Sequence, residues 1–395
     1  MNNQKKEFKA MVVNVEFFDE NPIENVITSL NYKVDKTIFF GYAKMLNEHK
    51  ACTESFLKSI CGVHNIEFYE VDAFDLTGII DKISNVIESD LASGHKVFFD
   101  LTGGESMLLV AFGILSRELV APMHTYDIYS GQIHEYGYEG SPALSEVAEY
   151  DPILLNLDDF ISLYGGKINY RMHKDFKDTL DDEDIKDVVD MWELSRKYKA
   201  KWPYYSALLR KFFPDECLTV RTDAKRFLAE IKKNSAIGSI GAFNHFLDEC
   251  EADGFLQDVC HENGIYSYRY KNESIKNYFW DSGSILEMYA FLKEINENDV
   301  NDCRVGVHID WDGIIHNLPG SDVLNEIDIM SMKDNLPTFI SCKMGNVDQM
   351  ALYELETVAN RFGGIYAKKV LITAKDIAPG HLLRAEEMGI EVRKI

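Results

Sequence analysis

The sequence is poor in proline and has no long apolar run. Only 9 of its 395 residues are proline, whereas 46% are hydrophobic and 12% are aromatic, which excludes a disordered or low-complexity chain. No stretch approaches the roughly eighteen apolar residues that a membrane span needs. The N-terminal lysines are not followed by the apolar segment of a secretory signal. We therefore expect a folded, soluble protein without a membrane partner.

Cysteine is scattered, and two common nucleotide-binding motifs are missing. The seven cysteines form no C-x-x-C pair, which argues against a disulfide framework or a zinc ribbon and fits a reducing cytoplasm. Cys250, Cys260 and His261 could imitate a metal cluster, although ordinary buried or surface residues are the favoured interpretation. Neither a Walker A loop nor a G-x-G-x-x-G loop is present. A nucleotide-dependent metabolic enzyme is therefore disfavoured.

Positive charge is scarce overall but is concentrated in one segment. The formal net charge is −24, and such a field repels nucleic acids unless cations are locally grouped or a metal offsets it. In residues 193–233, however, Lys and Arg outnumber Asp and Glu by 11 to 5. Two interpretations stay open for this basic segment: a solvated helical face, or a surface that faces nucleic acid.

Between residues 9 and 137, short β-rich runs alternate with amphipathic helical segments. This alternation predicts a Rossmann-like α/β domain with a parallel sheet covered on both faces. The predicted helices are 22–31, 44–60, 75–90 and 104–119. The predicted strands are Met11–Phe18, Lys36–Phe40, Asn65–Val71, Lys96–Leu101 and Met123–Ile128.

Two loops of this domain are candidates for ligand binding, because ligands of such sheets bind at the carboxyl ends of the strands. The first loop, residues 17–25, follows strand one and contains an Asn-Pro helix start. The second loop, residues 102–106, reads Thr-Gly-Gly-Glu-Ser after strand four. Paired glycines let backbone N–H groups approach a phosphate at a helix N-terminus. A tight strand-to-helix turn would use the same residues, so both interpretations stay open.

The rest of the chain divides into two further units, so the predicted domains are 1–145, 146–277 and 278–395. The middle unit is a helical linker whose helices near 183–200, 203–213, 223–233 and 241–252 precede a short hairpin, and this order resembles a winged helix. The last unit is an α/β domain. Its predicted elements are a helix at 284–297, strands at 303–310, 322–331 and 336–343, a helix at 347–361, a strand at 365–373, a helix within 376–388 and a strand at 390–394.

The last unit contains the residues that point most clearly to chemistry. Because strand side chains alternate, Glu326 and Asp328 share one sheet face, as do Ser341 and Lys343. Carboxylates hold Mg²⁺ or Mn²⁺ for phosphodiester hydrolysis, and a nearby lysine can orient water or stabilise the transition state. Glu287 on the preceding helix could add a third ligand. The alternative is a charged, solvent-exposed strand edge.

This pattern resembles the PD-(D/E)xK nucleases, in which a helix Glu, a strand Asp and a (D/E)-x-K strand form the site. Glu287, Asp328 and Lys343 match those positions in order, which implies a restriction-endonuclease-like fold. Ser341 departs from the family, which usually has an acid there. The resemblance implies a catalytic set of Glu287, Glu326, Asp328 and Lys343, and a metal set of Glu287, Glu326, Asp328 and the Cys342 carbonyl. Gln349 and Tyr353 form a Q-x-x-x-Y pair that is also seen in exonuclease-like members.

The N-terminal domain resembles a CARF domain, the cyclic-oligoadenylate sensor of type III CRISPR defence, through its Asn-Pro-Ile-Glu-Asn and Phe-Phe-Asp-Leu-Thr-Gly-Gly segments. Together the two domains resemble the CRISPR ancillary nucleases that cyclic tetra-adenylate activates. That resemblance implies a cytoplasmic homodimer that cleaves DNA or RNA, with Mn²⁺ or Mg²⁺ as cofactor. It also implies that the activator contacts eight residues: Asp19, Asn21, Asn25, Thr102, Gly103, Gly104, Glu105 and Ser106.

A competing hypothesis is a cyclic-oligoadenylate-responsive regulator in which the nuclease-like domain is inactive and the middle helices bind DNA. Ser341 favours it, because it stands where an acid is usual. In the second loop, Glu105-Ser106 replaces the Thr-Lys of many CARF domains, so backbone amides and Ser106 would have to bind phosphate. The sequence does not show whether DNA, RNA or both are cleaved, or what ring size the activator has.

Overall fold

A computed structural model describes residues 10–172, 179–213, 217–316 and 324–395. In these ranges the chain forms three sheets, two of six strands and one of three strands. The start of the strand predicted at 322–331, and Asp215 and Glu216 of the basic segment, lie outside the described residues. Within those ranges, no helix is both long and apolar enough to cross a membrane.

The N-terminal sheet has the order β3-β2-β1-β4-β5-β6, in which β6 is antiparallel to β5 and the other neighbours are parallel. The five predicted strands are confirmed, and β6 was missed. Every residue of the first two strands is buried, as expected for a sheet covered on both faces. The strands are β1 (Val12–Phe17), β2 (Lys36–Gly41), β3 (Asn65–Glu70), β4 (Lys96–Asp100), β5 (Met123–Asp127) and β6 (Gln132–Tyr136).

The helices of this domain follow the prediction except at the first loop and at residues 144–147, where no helix was predicted. The helix expected at 22–31 begins only at Ile27, because residues 22–26 form turns in which the Asn25 side chain bonds the backbone N–H and carbonyl of Asp19. Such local bonds compete with helix formation. The helices are α1 (Ile27–Asn31), α2 (Ala43–Ser59), α3 (Leu76–Ala92), α4 (Ser106–Leu119) and α5 (Leu144–Val147).

The middle unit has the order and sheet of a winged helix, which confirms that part of the predicted fold. A helix, a strand and two helices precede a hairpin, and the three strands pair in the order β8-β10-β9. Strand β8 was not predicted. Fully buried aromatic side chains, Trp202, Tyr205, Phe243 and Phe246 among them, fill its core. The elements are α7 (Asp182–Tyr198), α8 (Trp202–Arg210), β8 (Thr219–Asp223), α9 (Ala224–Lys233), α10 (Ile240–Ala252), β9 (Leu256–Cys260), β10 (Ile265–Tyr270) and α11 (Glu273–Trp280).

The C-terminal sheet has the order β15-β14-β13-β12-β11-β7. Its last strand, β7 (Lys167–Ile168), and the preceding α6 (Leu157–Leu163) come from the segment predicted as linker, and β7 pairs with β11. The other elements match the prediction closely. They are α12 (Ser284–Asn298), β11 (Asp302–Asp310), β12 (Leu324–Lys333), β13 (Leu336–Lys343), α13 (Gln349–Gly363), β14 (Lys368–Thr373), α14 (Pro379–Glu387) and β15 (Ile390–Lys394).

The N-terminal and C-terminal domains share a continuous hydrophobic core. Phe18 and Ile23 of the first loop belong to the same buried cluster as Phe160 of α6 and Phe339 and Phe362 of the C-terminal domain. The opposite face of the C-terminal sheet packs with α12 and the middle unit. The first loop therefore packs directly against the C-terminal domain, although the two are far apart in the sequence.

Candidate active site

A cavity of about 310 Å³ lies where the ends of β12 and β13 face α13. Three of its lining residues, Glu326, Asp328 and Lys343, were predicted from the sequence as catalytic, and the structure brings them together. Its lining residues are Leu324, Asn325, Glu326, Ile327, Asp328, Ser341, Lys343, Ala351, Glu354, Leu355 and Val358.

Strand alternation explains why these polar side chains share the cavity. On β13, Ile340 and Cys342 pack in the cluster that contains α12, whereas Phe339 packs in the cluster that contains α13. Ser341 and Lys343 have the same parity as Phe339, so they face α13. On β12, Asp328 has the parity of Met330, which also packs on the α13 side.

Asp328 is held by its β13 neighbours through one carboxylate oxygen. Its Oδ2 accepts hydrogen bonds from the Ser341 hydroxyl at 3.1 Å and the Cys342 N–H at 2.6 Å. The Lys343 ammonium lies 3.9 Å from the same oxygen. Ser341, the departure from the family pattern, thus positions Asp328 instead of supplying a second acid. Cys342 contributes its N–H, and its thiol is buried on the α12 side.

Glu326 lies at the more open end of the cavity, opposite a histidine. His308 of β11 pairs with Glu326 in the sheet register, and its Nε2 lies 3.6 Å from Glu326 Oε2. The His308 Nδ1 lies 3.1 Å from the Gly306 carbonyl, which favours the tautomer that donates from Nδ1. Sequence reasoning did not single out His308, because nothing in the sequence revealed that β11 neighbours β12.

Besides Cys342, which was predicted as a metal ligand, two further predicted groups do not line the cavity. Glu287 is 6% exposed on α12, which covers the opposite face of the sheet. The side chains of Gln349 and Tyr353 do bond each other, at 2.9 Å, but Tyr353 accepts a second bond from Arg384 of α14 at 2.6 Å. This pair therefore joins two helices instead of facing Asp328.

Glu354 is a cavity residue that sequence reasoning missed. It lies on α13 with Ala351, Leu355 and Val358, which is the i, i+3, i+4, i+7 spacing of a single helix face. That spacing is visible in the sequence and could have identified Glu354 once this helix was placed against β13. Within the described ranges, no group of three or more His, Cys, Asp or Glu side chains is arranged to hold a metal ion. The hard oxygen donors of Glu326, Asp328 and Glu354 nevertheless suit Mg²⁺ or Mn²⁺.

The N-terminal candidate residues also come together, around Asp19. Its Oδ1 accepts the Asn21 N–H at 3.0 Å, and its backbone N–H donates to the Asn25 side chain at 2.7 Å. Its Oδ2 accepts the Gly104 N–H at 3.2 Å. Asp19 therefore ties the first loop to the second loop, and the predicted residues of the two loops form one surface except Asn25, which is buried beneath it.

The second loop already uses two of its backbone amides. Besides the Gly104 N–H, the Thr102 N–H donates to Asp100 Oδ1 at 2.8 Å, and the Thr102 hydroxyl oxygen accepts the Tyr126 N–H at 2.9 Å. Glu105 accepts a bond from the Tyr42 hydroxyl at 3.3 Å, and Ser106 begins α4. An anion that binds the amides of Thr102 or Gly104 must therefore displace a carboxylate.

A buried polar network supports the second loop from below. Asp100 Oδ2 accepts the Thr28 hydroxyl at 2.6 Å and the Asn14 amide at 3.2 Å, and lies 3.1 Å from His124 Nε2. Burial alone would raise the pKa of Asp100, but His124 and the hydrogen bonds from Thr102 and Thr28 hold it well below its usual range. Burial and the charge of Asp100 raise the pKa of Glu16 well above its usual value. Thr28 and His124 were not predicted, because they meet only across the sheet.

Nearly all cations of the basic segment are exposed, and α9 carries several of them. Lys225, Arg226 and Lys232 are exposed there, and within the described part of the chain they form no ion pair. In contrast, Lys211 and Lys233 each lie 2.5 Å from Glu230, and their hydrogen bonds lower its pKa to about 2. Only part of the positive charge is thus available to an external anion.

Comparisons with known proteins address the C-terminal unit most directly. Residues 275–394 match the family model of the Card1-like endonuclease domain. The C-terminal unit is a Card1-like endonuclease domain. No curated protein sequence matches the chain.

Solved structures extend the similarity to nearly the whole fold. Protein VC1899 from Vibrio cholerae is 18% identical, with a TM-score of 0.70 over 98% of this chain and 94% of that chain. Can2 from Sulfobacillus thermosulfidooxidans, solved in complex with cyclic tetra-adenylate, is 15% identical, with a TM-score of 0.66 over 96% of this chain and 93% of that chain. At these identities the likeness establishes only a shared fold, which extends over all three units, the Card1-like endonuclease domain included.

Proposed function

We propose that this protein is a divalent-cation-dependent endonuclease that cleaves DNA or RNA and is activated by a cyclic oligoadenylate in CRISPR antiviral defence. The observation that carries the proposal is the cavity of the Card1-like endonuclease domain, in which Glu326, Asp328 and Lys343 face one another. Two carboxylates beside an ammonium are the groups that metal-assisted phosphodiester hydrolysis requires.

In this proposal Asp328 and Glu326 hold Mn²⁺ or Mg²⁺, and Glu354 is the third carboxylate that the cavity offers. The bound cation would neutralise developing charge and lower the pKa of a water molecule. Ser341 and the Cys342 N–H fix Asp328, so that its second carboxylate oxygen points away from them. Lys343 is placed to bind the phosphate or to orient the attacking water.

Cyclic tetra-adenylate is the proposed activator. Support comes from the fold shared with Can2, whose solved structure contains this molecule, and from the surface formed by the two loops at the carboxyl ends of β1 and β4. A cyclic oligonucleotide offers phosphates to the amides of the second loop and base edges to Asn21. Asn25 was also predicted to contact the activator, but it is 1% exposed and its side chain holds the Asp19 backbone, so its role is to shape the first loop. Binding would shift the population toward a nuclease-active arrangement.

A homodimer is proposed because α4 leaves an apolar face uncovered next to the second loop. Met107, Val110 and Ile114 are exposed on one side of this helix, at the i, i+3, i+7 spacing of a single face. Pairing two copies of α4 would bury that face and place two second loops beside one ligand.

A charged substitution in this face tests the dimer. Val110 is 50% exposed on α4, and Val189 is 39% exposed on α7 of the middle unit. We expect Val110→Asp to give monomers by light scattering, while Val189→Asp stays dimeric, because only the former puts a charge into the proposed interface. A wild-type monomer, or an unchanged dimer with Val110→Asp, would refute this interface.

Cleavage assays test the function. Labelled single- and double-stranded DNA and RNA would be incubated with Mn²⁺, with and without cyclic tetra-adenylate. We expect cleavage only when cation and activator are both present. The competing hypothesis, a DNA-binding regulator with an inactive nuclease-like domain, is favoured by Ser341 and by the exposed cations of α9. Absence of cleavage with every metal, together with tight sequence-specific duplex binding, would support the regulator.

A further inference from the structure

One tyrosine of the endonuclease domain reaches into the first loop of the N-terminal domain. The Tyr366 hydroxyl donates to Glu24 Oε1 at 2.6 Å, and Glu24 is only 7% exposed. Beside it, the Tyr129 hydroxyl donates to the Ile365 carbonyl at 3.1 Å, and the rings of Tyr129 and Tyr366 are 5.3 Å apart. Residues 364–366 are therefore held by side chains of the N-terminal domain.

The backbone of this segment is also fitted closely to the first loop. Gly364 has φ +55°, and a Cβ at this position would lie 2.6 Å from Asn21 Oδ1. A larger residue would therefore clash with Asn21 and strain the backbone. The contact thus depends on the residues present on both sides, Asn21 and Glu24 on one and Gly364 and Tyr366 on the other.

Glu24 also contacts the second loop. Its Oε2 lies 2.6 Å from the position that a Cβ would occupy on Gly103, and Asp19 packs against the same glycine. Burial, followed by the charge of Asp19, raises the pKa of Glu24 to about 7. One carboxyl group thus lies between the proposed phosphate-binding loop and Tyr366, beside the Asp19 carboxylate that an incoming anion must displace from Gly104.

On the other side, the segment of Tyr366 connects one wall of the active-site cavity, α13, to the strand that pairs with another wall, β13. Residues 364–366 form a 3-10 turn between α13 and β14. The α13 helix supplies Glu354 to the cavity. The β14 strand pairs with β13, so that Leu371 lies beside Ser341 and Thr373 beside Lys343. A displacement of Tyr366 would therefore act on both sides of the site.

We propose that the Glu24–Tyr366 hydrogen bond couples activator binding to nuclease activity within each subunit. The inference rests on the proposed function, because it takes the two loops as the activator site. A phosphate that takes the Gly104 N–H displaces Asp19. Because Asp19 and Glu24 belong to the same short loop, the exchange repositions Glu24 and, through Tyr366, the turn between α13 and β14. Coupling of this kind requires a different contact in the two states.

The test compares two substitutions that each remove one tyrosine hydroxyl bonded to a glutamate. Tyr366→Phe breaks the bond between domains, whereas Tyr69→Phe breaks a bond to Glu67 at 2.8 Å inside the N-terminal domain. For each full-length protein, calorimetry gives the affinity for cyclic tetra-adenylate, and cleavage with and without activator gives the stimulation ratio. We expect Tyr366→Phe to bind the activator but to lose about 5- to 150-fold of its stimulation, the range of typical allosteric couplings.

Substitutions of Glu24 give an independent measurement. Glu24→Ala removes the acceptor and should reduce the stimulation ratio as Tyr366→Phe does, while Glu24→Gln keeps an acceptor oxygen and should restore most of it. Glu24→Ala combined with Tyr366→Phe should lose no more than either change alone, because both remove the same bond. Thermal melting of each variant confirms that it is folded.

The outcomes separate this inference from the proposed function. If the wild type neither binds cyclic tetra-adenylate nor is stimulated by it, both are overturned. If the wild type is stimulated and Tyr366→Phe keeps the same stimulation ratio as Tyr69→Phe, the coupling alone is overturned. A loss confined to Tyr366→Phe and Glu24→Ala, with binding retained, supports it.

Discussion

The two polar surfaces of the molecule differ in how deeply their polar groups are buried. Around the N-terminal loops, Asp19 and Asp100 accept hydrogen bonds from backbone amides of the second loop, and the network beneath them is buried. In the endonuclease cavity, Glu326 and Glu354 are exposed and Asp328 is only partly covered. A ligand of the first surface must exchange bonds, whereas a cation can reach the exposed carboxylates of Glu326 and Glu354 from solvent.

This difference suits a sensor and a catalytic site. Buried, hydrogen-bonded polar groups are costly to leave without partners, so their rearrangement is favourable only when a ligand replaces every lost bond. Exposed carboxylates have no such constraint and bind cations according to local charge. The N-terminal surface is therefore built to discriminate, and the endonuclease cavity is built to react.

The largest expected effect is a loss of cleavage that leaves activator binding unchanged. Lys343→Ala should reduce activator-dependent cleavage by about 100- to 1,000-fold, the usual cost of removing one group that stabilises transition-state charge, and should leave cyclic tetra-adenylate binding unchanged. Lys333→Ala is the matched control, because Lys333 ends the neighbouring strand and bonds the Asn298 carbonyl outside the cavity. Equal cleavage by the two variants would remove Lys343 from the mechanism.

An added acid would test whether the number of carboxylates limits the affinity of the cavity for cations. Ser341→Asp restores the acid usual at this position beside Asp328, and we expect it to lower the Mn²⁺ concentration needed for half-maximal cleavage by about tenfold, since cation affinity follows ligand charge. Ser341→Ala, which only removes the hydroxyl bond to Asp328, should not lower it. A metal titration in which Ser341→Asp and Ser341→Ala coincide would contradict the prediction.

The smallest expected effect concerns stability at the N-terminal surface. The pKa of Glu24 is raised to about 7 by burial and by Asp19, so the folded protein binds this proton more tightly than the unfolded chain does. The resulting stability is present below about pH 4.5 and is lost as the pH rises through about 7. Glu24→Gln cannot titrate, so its free energy of unfolding should fall less between pH 5 and pH 8, by about 1 to 3 kcal/mol.

Urea unfolding at several pH values measures this difference. The groups that face Glu24 are Asp19, Asp100, Tyr164 and Tyr366. Asp100 titrates below this range, because its pKa is lowered, and burial raises the pKa of both tyrosines far above it. Glu20→Gln, an exposed change in the same loop, is the control. Parallel stability curves for the wild type and Glu24→Gln would disprove the assignment.

The sequence predicted what depends on local periodicity. Alternation placed Glu326 and Asp328 on one face of their strand, and Ser341 and Lys343 on one face of theirs, because alternation along a strand is independent of the rest of the fold. Glu287 matched a family position, yet its helix covers the other face of the sheet, and helix periodicity alone does not say which face a helix covers. His308, Glu354 and the Glu24–Tyr366 contact were not foreseen, because each requires knowing which distant elements are neighbours.

The two-residue strand β7 has a practical consequence for engineering. Because β7 and α6 precede the middle unit in sequence but complete the sheet and core of the endonuclease domain, a fragment that begins near residue 275 would leave the edge of β11 unpaired and apolar side chains uncovered. Such an open edge invites aggregation. Exchange of sensor domains between related proteins should therefore use a junction before α6, so that the endonuclease domain keeps β7, the edge strand of its sheet.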